Sequence, residues 1–200
     1  NFTWKVPTTE KTIYLTFDDG PNPAVTPWVL DQLDAYNAKA TFFCVGSNVE
    51  KHNEVFQQVV NGGHTIGSHT MNHLNGWDSD NIPYFHNVRR GASLVKSELY
   101  RPPYGKMKPS QTQFINRHYQ VVMWDVLSGD FDPHITNDQC YRNVINHAES
   151  GSIVVLHDSI KAKEKLEYVL PRILEHFSGL GYKFENLNHL VKEQPAKKLI

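Results

Sequence analysis

Short apolar stretches alternate with longer segments of helical periodicity along the whole chain. Runs of β-branched and aromatic residues bounded by Gly, Pro or polar residues are typical of buried strands. A strand end is also expected at Arg101 and Tyr104, and the two prolines between them exclude a helix over 100–105. The other predicted strands span 13–17, 40–45, 64–68, 119–124, 152–156 and 182–185.

Apolar positions at helical spacing, preceded by capping residues, predict helices between these strands. Thr26 is expected as an N-cap followed by Pro27 at the first helical position, and Gly62-Gly63 ends the next helix. The helix over 83–99 is predicted to be the longest, and the basic tail 194–200 is expected to fray. The remaining predicted helices span 52–61, 110–117, 136–149 and 163–177.

The alternation of strands and helices predicts an α/β fold with a parallel sheet. The sequence shows no internal repeat and no linker, so residues 1–200 are expected to form a single domain. About seven strands fall one short of an eight-stranded barrel, which favours a distorted, incomplete (β/α) barrel. A flat, doubly wound sheet is the alternative.

Chemically versatile side chains follow the predicted strands at their carboxyl ends. Asp18 and Asp19 come directly after the first strand, which Gly20-Pro21 ends. Neighbouring residues of an extended chain point in different directions, so the two carboxylates can serve different tasks. Because barrel active sites form at the carboxyl ends of strands, we expect these residues to meet others there. The others are His69, His73, Arg101, Tyr104, Trp124, Asp130 and His157.

The segment His69-Thr70-Met71-Asn72-His73 separates two imidazoles by four residues. On one helical turn they share a face, which is a spacing found among metal ligands; two surface histidines in a polar loop are the alternative. With a carboxylate such as Asp19, the pair would form a site of two His and one Asp. Three protein ligands leave positions open for water and substrate, as catalytic metal sites require.

These segments together resemble the motifs of the polysaccharide deacetylases of carbohydrate esterase family 4. They occur in the family's order and extend from residue 16 to residue 158. The matching segments are Thr16 to Pro21, His69 to His73, Arg101 to Gly105, Trp124 with Ser128 to Phe131, and Leu156 to Asp158.

The resemblance implies a metal centre and a general base. Asp19, His69 and His73 would bind one divalent metal ion. Zinc is the expected ion, with cobalt, nickel, iron and manganese as alternatives. Asp18 would be the general base, and Arg101 would pair with it and orient it.

The resemblance also implies roles on the substrate side. The backbone N–H of Tyr104 would help to hold the oxyanion, and His157 would be the general acid. Leu156 and Trp124 would line the pocket for the acetyl methyl group, and Asp130 is expected among the substrate-binding residues.

One motif departs from the family pattern, which usually has an Asp three residues before the Asp-aromatic pair. In the family, that Asp supports the catalytic His. Here the position is Leu127, and the nearby acids are Asp125, Asp130 and Asp158. The sequence leaves open which of them, if any, supports His157.

The implied activity is a metal-dependent carbohydrate deacetylase, a hydrolase of carbon–nitrogen bonds other than peptide bonds. It would remove N-acetyl groups from a polysaccharide or oligosaccharide that contains N-acetylglucosamine, of the peptidoglycan or chitin type, and release acetate. O-deacetylation of acetylated xylan and catalytically silent glycan binding are the alternatives. A non-haem iron oxygenase also uses two His and one carboxylate, but its usual double-stranded β-helix contradicts the α/β pattern.

Composition narrows the expected partners. The net charge of -1 indicates no polyanion-binding surface, so nucleic acid is not an expected partner. No run of 18 apolar residues occurs, so no membrane span is expected. Aromatic residues make up 12% of the chain, which suits a sugar-binding cleft. A carbohydrate substrate and a monomeric protein are expected.

The sequence begins Asn1-Phe2-Thr3-Trp4 without an initiator Met or a signal peptide, so we expect a processed or trimmed chain. An extracellular or cell-envelope location is expected, and a cytoplasmic one stays open. Cys44 is expected to be a buried free thiol, and no spacing pattern supports a disulfide with Cys140.

Overall fold

Residues 2–191 are described in the computed structural model of the chain. The strands are β1 (Phe2–Thr3), β2 (Thr12–Asp18), β3 (Thr41–Cys44), β4 (Thr65–Ser68), β5 (Leu99–Tyr100), β6 (Gln120–Val122), β7 (Val126–Leu127), β8 (Ile153–His157) and β9 (Lys183–Phe184). The helices are α1 (Thr26–Ala35), α2 (Gly46–Lys51), α3 (Asn53–Asn61), α4 (Asn81–Val95), α5 (Pro109–His118), α6 (Asn137–Ile145) and α7 (Lys163–Gly179). Short 3₁₀ turns lie at Pro103–Gly105 and Asn188–Leu190.

The strands form one curled, open parallel sheet. Eight of them follow the order β1-β6-β5-β4-β3-β2-β8-β7, and β9 pairs separately with β2. All the pairings between these strands are parallel. The order descends steadily from β6 to β2, as in a barrel, whereas a doubly wound sheet reverses direction near its centre. The α/β class and the distorted, incomplete (β/α) barrel are therefore confirmed.

The central strand β2 is buried on both faces. Ile13, Leu15 and Phe17 belong to the large core cluster that also contains the apolar residues of α1, α3 and α7. Tyr14 belongs to a separate cluster on the inner face of the sheet. Because side chains alternate along a strand, Asp18 shares the inner face with Tyr14 and lies at the carboxyl end of β2.

Helix α4 ends earlier than its sequence predicts. Lys96 adopts a left-handed conformation with φ 57°, which ends the helix at Val95, and Leu99–Tyr100 is a strand. The prediction that this is the longest helix is wrong, because α4 has 15 residues and α7 has 17.

The start of α1 also differs from the prediction, because Val25 and not Thr26 occupies the N-cap position. The Thr26 hydroxyl instead accepts the Asn22 N–H at 2.8 Å and donates to Asp158 Oδ2 at 2.6 Å. Helix α2 was not predicted. Strand β5 ends directly before Arg101, where a strand end was predicted. Strands β1 and β7 were not predicted, and each has only two residues, too few for an alternating pattern.

The two cysteines are both buried and free, as expected for Cys44, and burial raises the pKa of the Cys44 thiol well above its usual value. None of the helices within residues 2–191 combines the length and apolar character needed to cross a membrane. The predicted basic tail at 194–200 lies outside the described residues.

Candidate active site

The three predicted metal ligands converge at the carboxyl ends of β2 and β4. One ligand atom from each of Asp19, His69 and His73 lies within 4.8 Å of the other two. Asp19 Oδ1 is 3.2 Å from His73 Nε2 and 3.7 Å from His69 Nε2. This oxygen is buried, and no group among the described residues gives it a well-formed hydrogen bond. A buried carboxylate oxygen without a donor fits a bound cation, because desolvation without compensation is costly.

The pKa shifts of Asp19 and His69 suit metal ligation. Burial raises the pKa of Asp19, but the close approach of His73 and the charges of His69 and His157 outweigh it and lower that pKa to about 2. Burial lowers the pKa of His69, although the nearby carboxylates oppose the shift. An ionised carboxylate and a neutral imidazole are the forms that bind metal.

The orientation of His69 is fixed from behind. Its Nδ1 donates to the carbonyl oxygen of Arg101 at 2.8 Å, so Nε2 carries the lone pair that points toward Asp19. A hydrogen bond of this kind sets the tautomer and the ring direction of a metal-binding histidine.

The loops that carry the site contain strained backbone. Asp19, Thr70, His73 and Tyr104 have φ values of 84°, 65°, 54° and 60°. Non-glycine residues rarely adopt positive φ, and such residues concentrate at functional sites. The same values correct the sequence interpretation of the two histidines, because the segment after β4 is a turn and not one helical turn. The Thr70 hydroxyl supports this turn by accepting the Leu74 N–H at 3.0 Å.

Asp18 is held by a fully buried arginine, Arg101. Arg101 Nη1 donates to Asp18 Oδ1 at 2.8 Å and to Thr16 Oγ1 at 2.7 Å. The same guanidinium donates from Nε to the Val122 carbonyl at 3.1 Å and from Nη2 to the Met123 carbonyl at 2.8 Å. The predicted pairing of Asp18 with Arg101 is therefore present, and the other Asp18 oxygen is left on the side of His69, 3.9 Å from its Nε2.

His157 is supported by Asp130. Asp130 Oδ1 lies 2.7 Å from His157 Nδ1, and Asp130 Oδ2 accepts the His157 backbone N–H at 2.7 Å. Burial by itself lowers the pKa of His157, but the charge and hydrogen bond of Asp130 outweigh it and raise that pKa to about 9. His157 is thus held as an imidazolium at neutral pH.

The other two acids near this motif serve elsewhere. Asp125 accepts the hydroxyl of Ser152 at 2.9 Å and the N–H of Ile153, at the start of β8. Asp158 accepts the Gly20 N–H at 2.9 Å and the Thr26 hydroxyl. Of the three nearby acids, Asp130 is therefore the one that supports His157, although Leu127 occupies the position where the family usually has an Asp.

The metal-ligand triad, Asp18 and His157 all line one cavity of about 550 Å³. Its lining residues are Asp18, Asp19, His69, His73, Tyr104, Lys106, Trp124, Leu127, Phe131, Val155, His157, Ser159 and Lys161. Trp124 lines the cavity as expected, and the Tyr104 ring contacts His73 edge-on with its centroid 4.8 Å away.

Two residues expected to contact substrate lie elsewhere in the structure. Leu156 is fully buried in the core on the helix side, because the neighbouring residues of β8, Val155 and His157, occupy the cavity side. Asp130 is also fully buried, with both oxygens bonded to His157, so it offers no surface to a substrate here.

The sequence interpretation missed part of the cavity wall. Leu127 is 44% exposed and lines the cavity. Lys106 and Lys161 also line it. Their positions, one residue after Arg101–Gly105 and three after Asp158, were the available signal.

Comparisons with known proteins agree with this geometry. A family model described as polysaccharide deacetylase matches residues 5–122. A peptidoglycan-N-acetylglucosamine deacetylase of Bacillus cereus is 36% identical over 95% of this chain and 92% of that protein. A chitooligosaccharide deacetylase of Azorhizobium caulinodans is 31% identical over 78% of this chain and 77% of its own length. The chain spans 56% and 40% of two longer peptidoglycan deacetylases that it also matches.

A solved structure of a peptidoglycan N-acetylglucosamine deacetylase, in complex with 4-naphthalen-1-yl-N-oxidanyl-benzamide, superposes with a TM-score of 0.89. It is 26% identical, and the match covers 96% of this chain and 94% of that one. The family model covers more than half of the chain, and both the fold and the motifs agree with it. The chain therefore belongs to the polysaccharide deacetylase family, carbohydrate esterase family 4.

Proposed function

We propose that this chain is a metal-dependent hydrolase that removes N-acetyl groups from a glycan containing N-acetylglucosamine and releases acetate. One observation carries the proposal: the triad of Asp19, His69 and His73 shares a cavity with Asp18 and His157. A ligand set, a carboxylate base and an imidazolium acid are the parts that amide hydrolysis needs. The activities named for the relatives from Bacillus cereus and Azorhizobium caulinodans support it.

Asp19, His69 and His73 would hold the metal, and zinc is the expected ion because two imidazoles and one carboxylate suit it. When bound, such an ion polarises a carbonyl and lowers the pKa of water. The buried, undonated oxygen of Asp19 and the fixed Nε2 of His69 fit this role.

Asp18 would act as the general base through its Oδ2, because Oδ1 is occupied by Arg101. It takes a proton from the water that attacks the acetyl carbonyl carbon. Arg101 cannot move away, since its guanidinium is tied to Thr16 and to two backbone carbonyls. The backbone N–H of Tyr104 is expected to donate a hydrogen bond to the carbonyl oxygen as negative charge develops on it.

His157 would complete the reaction as the general acid. Its Nδ1 proton stays with Asp130, so Nε2 is the atom that donates to the departing amine nitrogen. As the carbon–nitrogen bond breaks, the amine gains this proton and acetate leaves. A pKa of about 9 keeps the acid charged under neutral conditions.

The substrate is proposed to be of the peptidoglycan or chitin type. An extracellular or cell-envelope location and a monomeric state remain predictions.

Acetate release from N-acetylated chitooligosaccharides and from peptidoglycan, measured with zinc-loaded protein, tests this function. We expect release that ceases on chelation and returns with added metal. Asp18→Asn provides the matched inactive control. Absence of acetate release from all N-acetylated glycans by the folded, metal-loaded protein would overturn the proposal.

A further inference from the structure

Two lysines from different loops enter the wall of the catalytic cavity. Lys106 follows the 3₁₀ turn Pro103–Gly105, and Lys161 lies between β8 and α7. The chain as a whole carries a net charge of -1, so positive charge here is a local feature and not part of a generally basic surface.

Aromatic rings accompany both ammonium groups. Lys106 Nζ lies 4.9 Å from the centre of the Trp77 ring, and Trp77 is itself fixed by a hydrogen bond from Nε1 to the Met107 carbonyl at 3.2 Å. Lys161 Nζ lies 5.9 Å from the centre of the Phe131 ring. A ring face holds an ammonium in place without accepting all of its three N–H donors, so donors remain for a ligand.

The ammonium groups of Lys106 and Lys161 are not neutralised by carboxylates in the part of the protein that the structure describes. Within residues 2–191, Lys106 and Lys161 form no ion pair, whereas Lys5 and Lys163 pair with Glu149 and Glu167. The two carboxylates that line the same cavity have other partners and do not pair with these lysines. Asp18 is bonded to Arg101, and Asp19 faces His69 and His73.

We propose that Lys106 and Lys161 select a glycan that carries carboxylates next to the N-acetylated sugar, so that the preferred substrate is an anionic glycan and not a neutral one. The inference rests on the proposed deacetylase function and deepens it. Among N-acetylated glycans, this chemistry favours peptidoglycan, with its lactyl or peptide carboxylates, over neutral chitin oligomers. Charges at the rim of a site act chiefly on specificity and association rate.

Three substrates of matched length separate charge from shape. They are a peptidoglycan-derived oligosaccharide with free carboxylates, the same oligosaccharide with its carboxylates converted to methyl amides, and a chitin oligomer. For the parent protein we expect kcat/KM to fall severalfold on amidation. Added salt should lower kcat/KM for the carboxylate form and leave the amidated form unchanged, because only the former depends on screened attraction.

Lys106→Met and Lys161→Met should each lower kcat/KM for the carboxylate substrate by about two- to fivefold, as expected for a partly exposed ion pair. They should leave the amidated substrate and the chitin oligomer nearly unaffected, and Lys→Arg at either position should restore most of the loss. Lys183→Met is the matched control, because Lys183 pairs with Thr12 at the opposite end of β2.

Equal use of the carboxylate and amidated substrates by the parent would overturn the inference. Equal loss on all three substrates in the lysine variants would do so as well, since it would show a packing role. If no substrate is turned over, the proposed function fails separately, and calorimetric binding of the three glycans to Asp18→Asn still decides the role of the lysines. Tighter binding of the carboxylate form, lost in Lys106→Met/Lys161→Met, supports it, and equal binding refutes it.

Discussion

Asp130 holds His157 at two points, with one oxygen 2.7 Å from the ring Nδ1 and the other accepting the backbone N–H at 2.7 Å. The ring and the backbone of His157, the proposed general acid, are thus fixed by one carboxylate that is fully buried. A buried carboxylate next to an imidazole stabilises the charged form of the imidazole, which is the form that can donate a proton.

Asp130→Asn should therefore lower the alkaline limit of activity. His157 donates only when protonated, so kcat/KM is expected to fall as the pH rises through the pKa of about 9. Without the Asp130 charge, burial is left to lower that pKa, and the limb should shift down by more than about one pH unit. Profiles of kcat/KM against pH measure the shift.

Leu127→Asp serves as the comparison. A new carboxylate at Leu127 should leave the alkaline limb where it is, because His157 Nδ1 already has its partner. An unmoved limb in Asp130→Asn, together with an upward shift in Leu127→Asp, would contradict this assignment.

Asp158 links folding stability to pH. Its pKa is raised to about 7, chiefly by burial, and the hydrogen bonds from Thr26 and Gly20 oppose that shift only in part. The pKa of Asp158 is higher in the folded state than in the unfolded state. Its contribution to the free energy of unfolding is therefore fully present below about pH 4 and is lost as the pH rises through about 7. The parent should therefore lose more stability between pH 5 and pH 8 than Asp158→Asn does, which denaturant unfolding at the two pH values measures.

Asp158→Ala completes this test. It should cost about 1–3 kcal/mol at pH 5, because the Gly20 N–H and the Thr26 hydroxyl lose their acceptor. Identical pH dependence in the parent and Asp158→Asn would show that Asp158 does not titrate in this range.

The buried pair of Arg101 and Asp18 should be costly to break from one side. Arg101→Met leaves the Asp18 carboxylate buried without its counter-charge and should lower the free energy of unfolding by about 3–5 kcal/mol. Asp18→Asn in the same chain removes the uncompensated charge and should recover part of this loss. Denaturant unfolding of the parent, both single variants and the double variant gives the coupling energy. Additive effects would refute a strong pair.

Sequence patterns predicted the parts of the fold that have a clear period. The two-sided burial of β2 and the Gly20-Pro21 stop placed Asp18 and Asp19 at a strand end, where the structure has them. The short strands β1 and β7, which were not predicted, carry no such period. Their pairing is set by contacts with neighbours distant in sequence, which a local pattern does not contain.

The site shows the same division. Motif order predicted which segments meet, but not the face on which each side chain lies. The register of β8 places Leu156 in the core. The backbone turn at Gly129, with φ 79°, places Asp130 next to His157. Both outcomes depend on contacts between residues that are distant in sequence. The sequence alone therefore could not show which acid supports His157 when Leu127 occupies the usual Asp position.

The central claim is that a metal at Asp19, His69 and His73 and a separate base at Asp18 together hydrolyse the N-acetyl group. The most direct measurement is bound zinc and acetate release, determined in parallel on the parent, His73→Ala and Asp18→Asn. We expect about one zinc per parent chain, loss of both metal and activity in His73→Ala, and retained metal with turnover reduced about a hundredfold or more in Asp18→Asn. Full turnover by metal-free His73→Ala, or loss of zinc from Asp18→Asn with no separate defect in turnover, would contradict it.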